Sequence, residues 1–422
     1  MRMLRKNILR TISSDPTEYA NMVFLLIRDA LSGAAMIFAS NAIIQSYLLK
    51  VGLSVTGIGI FGTTGNVASI AGILIFMGFT DRVVNRVRLL AITAIFYALT
   101  PLMLIGSTLL PGIDNRFLLT LLIAAGVLQN LALSLKNMLE NKIFTRLIRM
   151  EICGRFLALD GVIVNVVSVF FSITASSILK ALGFPGGFIL LFICSFLLFN
   201  AAAFIIFRFK MLAIYPRVLA DSGISAFNAL PRIFKVREFR AFVLPNVLRG
   251  IAMGGSYFAM AVGTKKLNLP PVYSTYMVLW GTIAAVFSNI LFGFLIQCLG
   301  TGRICLSGSI IAAIGLVCMP FAKSPAMFLA FYFLMLFGQT FVDQGVPTGV
   351  YKIVPFEIMG IYTGGRFLLM TGGTALSTMV IGVFIDSGIV VRSLISVAVI
   401  QVVSGFLFFI GFCQFRQKDF VS

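Results

Sequence analysis

Apolar runs of about 20 residues recur from one end of this 422-residue chain to the other, separated by short polar connections. One such run crosses the ~30 Å hydrocarbon core of a bilayer as a helix, which satisfies its backbone hydrogen bonds without water. Twelve spans are predicted, at 21–48, 55–79, 88–109, 117–138, 156–179, 186–207, 240–262, 272–297, 304–322, 326–346, 365–385 and 393–413. Charged residues make up 11% of the chain and hydrophobic ones 59%, too few charges to cover a soluble surface. The expected fold class is an all-α membrane protein. The 39 glycines suit it, because small residues let helices approach closely. No cleavable signal peptide is read at the N-terminus: residues 1–20 are basic and polar, and the apolar run after them is too long for a signal core.

The net charge of +19 has a topological explanation. With the N-terminus in the cytoplasm, alternate connections on that side carry 24 Lys and Arg residues and the opposite side carries 7. The positive-inside rule then places both termini in the cytoplasm of a multi-pass protein of the plasma (cytoplasmic, inner) membrane. The basic excess is an orientation signal and an attraction to anionic lipids, not a nucleic-acid surface. The longest polar stretch, 208–239, divides the chain into a bundle at 1–207 and another at 240–422, and its middle is expected to form a short surface helix. There is no histidine, which removes His-based metal sites and catalytic triads, and the six cysteines show no paired spacing. No metal, cofactor or enzymatic activity is expected.

The chain carries signs of internal duplication. Gly154-Arg155-Phe156 recurs as Gly365-Arg366-Phe367, 211 residues on, each time opening an apolar segment. Arg28 and Gly33 in span one repeat as Arg249 and Gly254 in span seven, and Lys142-Ile143 before span five repeats as Lys352-Ile353 before span eleven. Gly65 and Gly281 lie equally far ahead of Asp81 and Gln297. These correspondences occur in one order, so two six-helix halves are expected, with a working site between them.

With twelve spans, inside termini, a basic central loop and two six-helix repeats, the chain resembles the major facilitator superfamily over its whole length. The loop after span two is similar to that family's Gly-x-x-x-Asp-Arg-x-Gly-Arg-Arg signature through Asp81, Arg82 and Arg86. It departs from it at Met77, Val84 and Asn85. Gly52-Leu53-Ser54 followed by Gly57-Ile58-Gly59 looks like the family's entry to span two. The signatures of sugar porters and of many drug antiporters are missing. The resemblance implies two pseudo-symmetric six-helix bundles, alternating access, and a cytoplasmic gate at Asp81, Arg82 and Arg86, to which Arg155 and Arg366 are added by their membrane level.

Charge inside a bilayer costs roughly 2.5–3.5 kcal/mol per residue on insertion scales, so intramembrane ions mark candidate sites. The candidates for substrate contact or proton coupling are Arg28, Asp29, Asp160, Arg249 and Asp343, with Gln129, Asn130 and Asn165 as uncharged pocket residues. Asp160 has Thr371 as its repeat counterpart, an asymmetry expected where the halves diverged. The plainer alternative stays open for each: the arginines snorkel to the interface, Asp343 partners loop arginines, and the amides hold helices together. Adjacent residues point about 100° apart on a helix, so Arg28 and Asp29 need not pair. Pro347 and Pro355 are read as bending or ending span ten. The expected activity is secondary transport of a small organic solute, with an anionic solute and proton coupling both compatible with these charges, by a monomer. Efflux of amphipathic drugs or lipids is the alternative within transport. A sensor that kept the fold but lost turnover is the alternative outside it.

Overall fold

The computed structural model describes residues 15–83, 85–109, 115–148, 150–211, 234–353 and 359–416. Among the described residues the chain is helical and has no strand. Eleven helical segments are long and apolar enough to cross a bilayer. Span seven, Arg237–Tyr257 with Ala259–Leu267, makes the twelfth, and its run is less apolar because it contains Arg237, Glu238, Arg240 and Arg249. The expected surface helix in the central link falls mostly on residues outside those described.

Local chemistry explains where several helices start and stop. Span one begins at Pro16, and the preceding Asp15 carboxylate accepts the Thr17 N–H at 2.8 Å, capping the helix start. Charged residues end a hydropathy window without ending a helix. The helices of spans four and five therefore run over Asn115–Leu147 and Met150–Leu182, well past the predicted edges. Span ten likewise runs through Pro347 to Ile353. Spans one and seven are each interrupted. The first changes from Pro16–Phe38 to Asn41–Lys50, and the seventh breaks at Phe258.

The helices form two compact units: Met1–Ser40 with Ala71–Ile113 and Ala124–Ala226, and Asn41–Ile70 with Asp114–Ile123 and Phe227–Ser422. In the first, span one packs on spans five and six, and span six packs on spans three and five. In the second, span seven packs on eleven and twelve, and twelve packs on nine and eleven. Each partner lies six spans later, so packing repeats as the sequence does. The duplicated glycines occupy equivalent crossings. Gly33 faces Val164 and Ser168 of span five, and Gly254 faces Ser377 of span eleven.

Buried polar side chains tie the first unit at its basic end. Asn21 is 1% exposed. Its amide donates to the carbonyls of Leu147, which ends the span-four helix, and Lys210, and its oxygen accepts the Lys210 N–H. One asparagine thus satisfies three backbone groups that helix ends leave without partners.

Candidate functional site

Arg28 and Arg249 are each the thirteenth residue of their helix, so the duplicated arginines hold the same position along it. Their surroundings differ. Arg28 is bidentate between two carboxylates: its Nε donates to Asp29 Oδ1 at 2.8 Å and its Nη1 to Glu140 Oε1 of span four at 3.0 Å. The long arginine side chain folds sideways and closes the angle between neighbouring helix positions, so Arg28 and Asp29 do pair. Lys136, one turn before Glu140, approaches the same carboxylate at 3.4 Å and sits 5.6 Å from the Tyr97 ring centroid. The guanidinium of Arg28 lies 5.9 Å from the Phe209 ring centroid.

Two cations and two carboxylates balance in this cluster. Asp160 of span five adds a third carboxyl, close enough to interact electrostatically with Asp29 and Arg28. Its Oδ1 is buried and has no hydrogen-bond partner among the described residues. Gln129 lies beside Tyr97 at the cluster's rim. A small cavity of ≈ 10 Å³ lies among Arg28, Ser32, Tyr97 and Lys136, about the room one water molecule needs and too little for a solute.

In the second unit Arg249 is 2% exposed; both its terminal nitrogens are engaged by protein, while its buried Nε has no hydrogen-bond partner among the described residues. It donates to Asp343 Oδ1 of span ten at 2.9 Å, to Gln401 Oε1 of span twelve at 3.0 Å and to the Gln339 carbonyl at 3.3 Å. Asp343 keeps 47% of its side chain exposed, so the ion pair has one dry end and one wet end. Its partner is an intramembrane arginine, not a loop arginine. Both halves therefore pair the arginine of their first helix with an acid of their fourth, Glu140 or Asp343.

The remaining candidates stand apart from these clusters. Asn130 donates to the Gly126 carbonyl one turn back in its own helix. Asn165 is partly buried and has no side-chain hydrogen bond among the described residues. Of the gate candidates, the side chains of Asp81, Arg82 and Arg155 lie outside those described, while Arg86 and Arg366 are partly buried. Sequence reasoning missed Lys136, Glu140 and Gln401. The first two were legible as an i,i+4 ion pair at a span edge. Gln401 carried no signal of its own, since only the packing of span twelve on span seven brings it to Arg249.

A family model for the Major Facilitator Superfamily matches residues 30–378. A search of curated protein sequences finds no match. Among solved structures, a mutant of the nucleoside transporter NupG aligns with TM-score 0.71 at 16% identity, covering 93% of this chain and 99% of that one. A bacterial homologue of the human lysosomal transporter Spinster aligns with TM-score 0.69 at 14% identity, covering 96% and 99%. The xylose transporter XylE from E. coli aligns with TM-score 0.68 at 10% identity, covering 93% and 97%. At these identities the likeness is one of fold.

Proposed function

The chain belongs to the major facilitator superfamily, and from that premise we propose that it is a secondary transporter that moves a small organic solute across the plasma membrane by alternating access. The observation that carries this reading is the buried, charge-dense cluster of Arg28, Asp29, Lys136 and Glu140 with Asp160 beside it. Packing alone has no use for five ionisable groups within apolar helices, and ions in such places serve solute or proton pathways. The aligned structures include a nucleoside transporter, a xylose transporter and a bacterial metal transporter, a likeness of fold that supports transport without selecting the solute. No catalytic role is assigned.

In this reading both termini are cytoplasmic, the moving bodies are 1–207 and 240–422, and 208–239 links them. Asp81, Arg82, Arg86, Arg155 and Arg366 close the cytoplasmic side. Arg28 and Arg249 are already neutralised by carboxylates, so an anionic solute binds there only by displacing Asp29 or Glu140 from Arg28, or Asp343 from Arg249. Asp29 and Asp160 are the proposed proton carriers. Asp29 is held by Arg28, whereas Asp160 has an oxygen without a partner, so Asp160 is the better placed of the two to gain and lose a proton.

Counterflow in proteoliposomes across a panel of nucleosides, sugars and organic acids tests transport directly. Once a solute is found, uptake is measured with and without an inward proton gradient. Gradient-stimulated uptake should disappear in Asp160→Asn or Asp29→Asn. Undiminished stimulation in both variants refutes the coupling assignment, and no flux of any solute refutes transport.

A further inference from the structure

Span ten carries a polar side that its packing leaves open. Thr340, Asp343, Gln344 and Thr348 stand at positions i, i+3, i+4 and i+8 of the helix Pro325–Ile353, so they share one face of it. Asp343 and Gln344 are exposed, although Phe341, Val342 and Val346 around them are buried. A half-exposed carboxylate against hydrocarbon is costly, so this face meets water. The two threonine hydroxyls are occupied within the helix, donating to the Leu336 and Gln344 carbonyls at 2.9 and 2.7 Å. The Gln344 side chain makes no hydrogen bond among the described residues.

Three acceptor oxygens fall within one turn of this face. Arg249 holds Asp343 through Oδ1, which leaves Oδ2 to other partners. Pro347 lies four residues after Asp343 inside the helix and has no N–H, so it cannot give the Asp343 carbonyl its intrahelical bond. The Gln344 amide oxygen is the third. The charges of the two units differ here. Glu140 of the first unit is approached by Lys136, one turn before it, and by Arg28, at 3.4 and 3.0 Å. One turn before Asp343 stands Gln339, so Asp343 has Arg249 as its single ion-pair partner among the described residues. With Arg249 side chain 2% and Asp343 side chain 47% exposed, that pair is a dipole whose negative end meets water.

We propose that this face of span ten recognises a primary ammonium group, and that the transported solute is an organic cation carrying one. An ammonium brings three N–H donors, one for each acceptor, and the positive charge that Lys136 gives to Glu140 in the other unit. An anionic solute meets the wrong end of the Arg249–Asp343 dipole. A quaternary ammonium has the charge but no N–H, and leaves the acceptors unbonded. A hard divalent cation takes about six or more oxygen ligands, more than one open helix face offers. The proposal rests on the transporter reading and narrows its solute.

The test sets a cysteine beside the site and compares three thiol reagents on it. Thr340→Cys, three residues before Asp343, is made in the full chain, purified in micelles and read against the parent with its native cysteines. The reagents are methanethiosulfonates bearing a primary ammonium, a trimethylammonium or a sulfonate, each rate divided by its rate with 2-mercaptoethanol. The ammonium reagent should lead the trimethylammonium by about tenfold, the worth of one charge-assisted hydrogen bond, and the sulfonate should be slowest. Asp343→Asn should erase the lead of both cations over the sulfonate. Pro347→Ala, which restores a donor to the Asp343 carbonyl, should shrink the ammonium's lead over the trimethylammonium and keep both ahead of the sulfonate. Cys305, 0% exposed in the same unit, reports folding and must stay unreactive. If Asp343→Asn exposes Cys305, that variant is discarded and Pro347→Ala decides. Equal rates for the three reagents, or a leading sulfonate, overturn the proposal, and equal rates for the two cations overturn recognition of the N–H groups. Sodium that slows the ammonium reagent where equal potassium does not makes the site one for a metal ion and also overturns it. The assay needs no solute. A cation preference in a protein without counterflow sinks transport and leaves the site standing, and counterflow of an organic acid with no preference at the site does the reverse.

Discussion

Replacing Gly250 by alanine should loosen the crossing of spans seven and eleven more than almost any other one-carbon change. A Cβ built on Gly250 stands 2.0 Å from the Met370 carbonyl oxygen and 3.0 Å from Met370 Cα, where ordinary contact begins at 3.4 Å. About 1.4 Å must be found, and backbone lies on both sides, so no side chain can rotate away. Overpacking of this kind costs typically 1–3 kcal/mol, and the upper end is the relevant one here. Separation also strains the bond from Thr374 Oγ1 to the Gly250 carbonyl, 3.0 Å long, which adds ~0.6 kcal/mol. Alanine's better helix propensity returns up to about 1 kcal/mol. The net expectation is a loss of about 2–3 kcal/mol, measured by reversible unfolding in mixed micelles. Gly161→Ala, with nothing within 4 Å of the new carbon, is the matched control and should be neutral or slightly stabilising. Gly254→Ala should fall between them, since its obstacle is the rotatable Ser377 hydroxyl. Gly250→Ala and Gly161→Ala agreeing within about 0.5 kcal/mol would refute the packing argument.

Asn21→Leu should lower unfolding stability by about 2–4 kcal/mol, because it leaves the Leu147 and Lys210 carbonyls and the Lys210 N–H without their partner; a shift below ~1 kcal/mol in the same assay would deny the clasp its role. Arg28→Met should destabilise more than Arg249→Met, since it strands two largely buried carboxylates whereas Asp343 can turn to water; the reverse order in thermal denaturation would contradict that electrostatic account. Arg155→Ala or Arg366→Ala should shift the inward/outward balance more than solute affinity, read by cysteine accessibility at the two faces; an unchanged balance would make the repeated Gly-Arg-Phe a relic of duplication.

Much of the architecture was written in local patterns. Runs of apolar residues set the spans, and Arg28 with Gly33 matched Arg249 with Gly254 well enough to reveal the duplicated crossings. Helix lengths were less legible. Lys136 and Glu140 looked like a span edge but lie on a helix that continues to Leu147, because a helix persists wherever its charges find partners. The site was legible as a set of residue types only. Asp29 and Asp160 were both readable as intramembrane acids, but no spacing rule says that Arg28 holds one and leaves an oxygen of the other unpaired.

By itself the sequence determined what the membrane demands of any chain: helical spans of sufficient length, a basic bias between connections, and a repeat that makes two related bundles. These follow from hydrocarbon thickness, backbone hydrogen bonding and charge, which act on each segment separately. Only the tertiary structure decided which polar groups meet. Gln401 reaches Arg249 across 152 positions, and Thr56 reaches Asp386 across 330. Such pairings depend on helix crossings set by single glycines such as Gly59, Gly250 and Gly382, and the position of a crossing is a property of two surfaces at once.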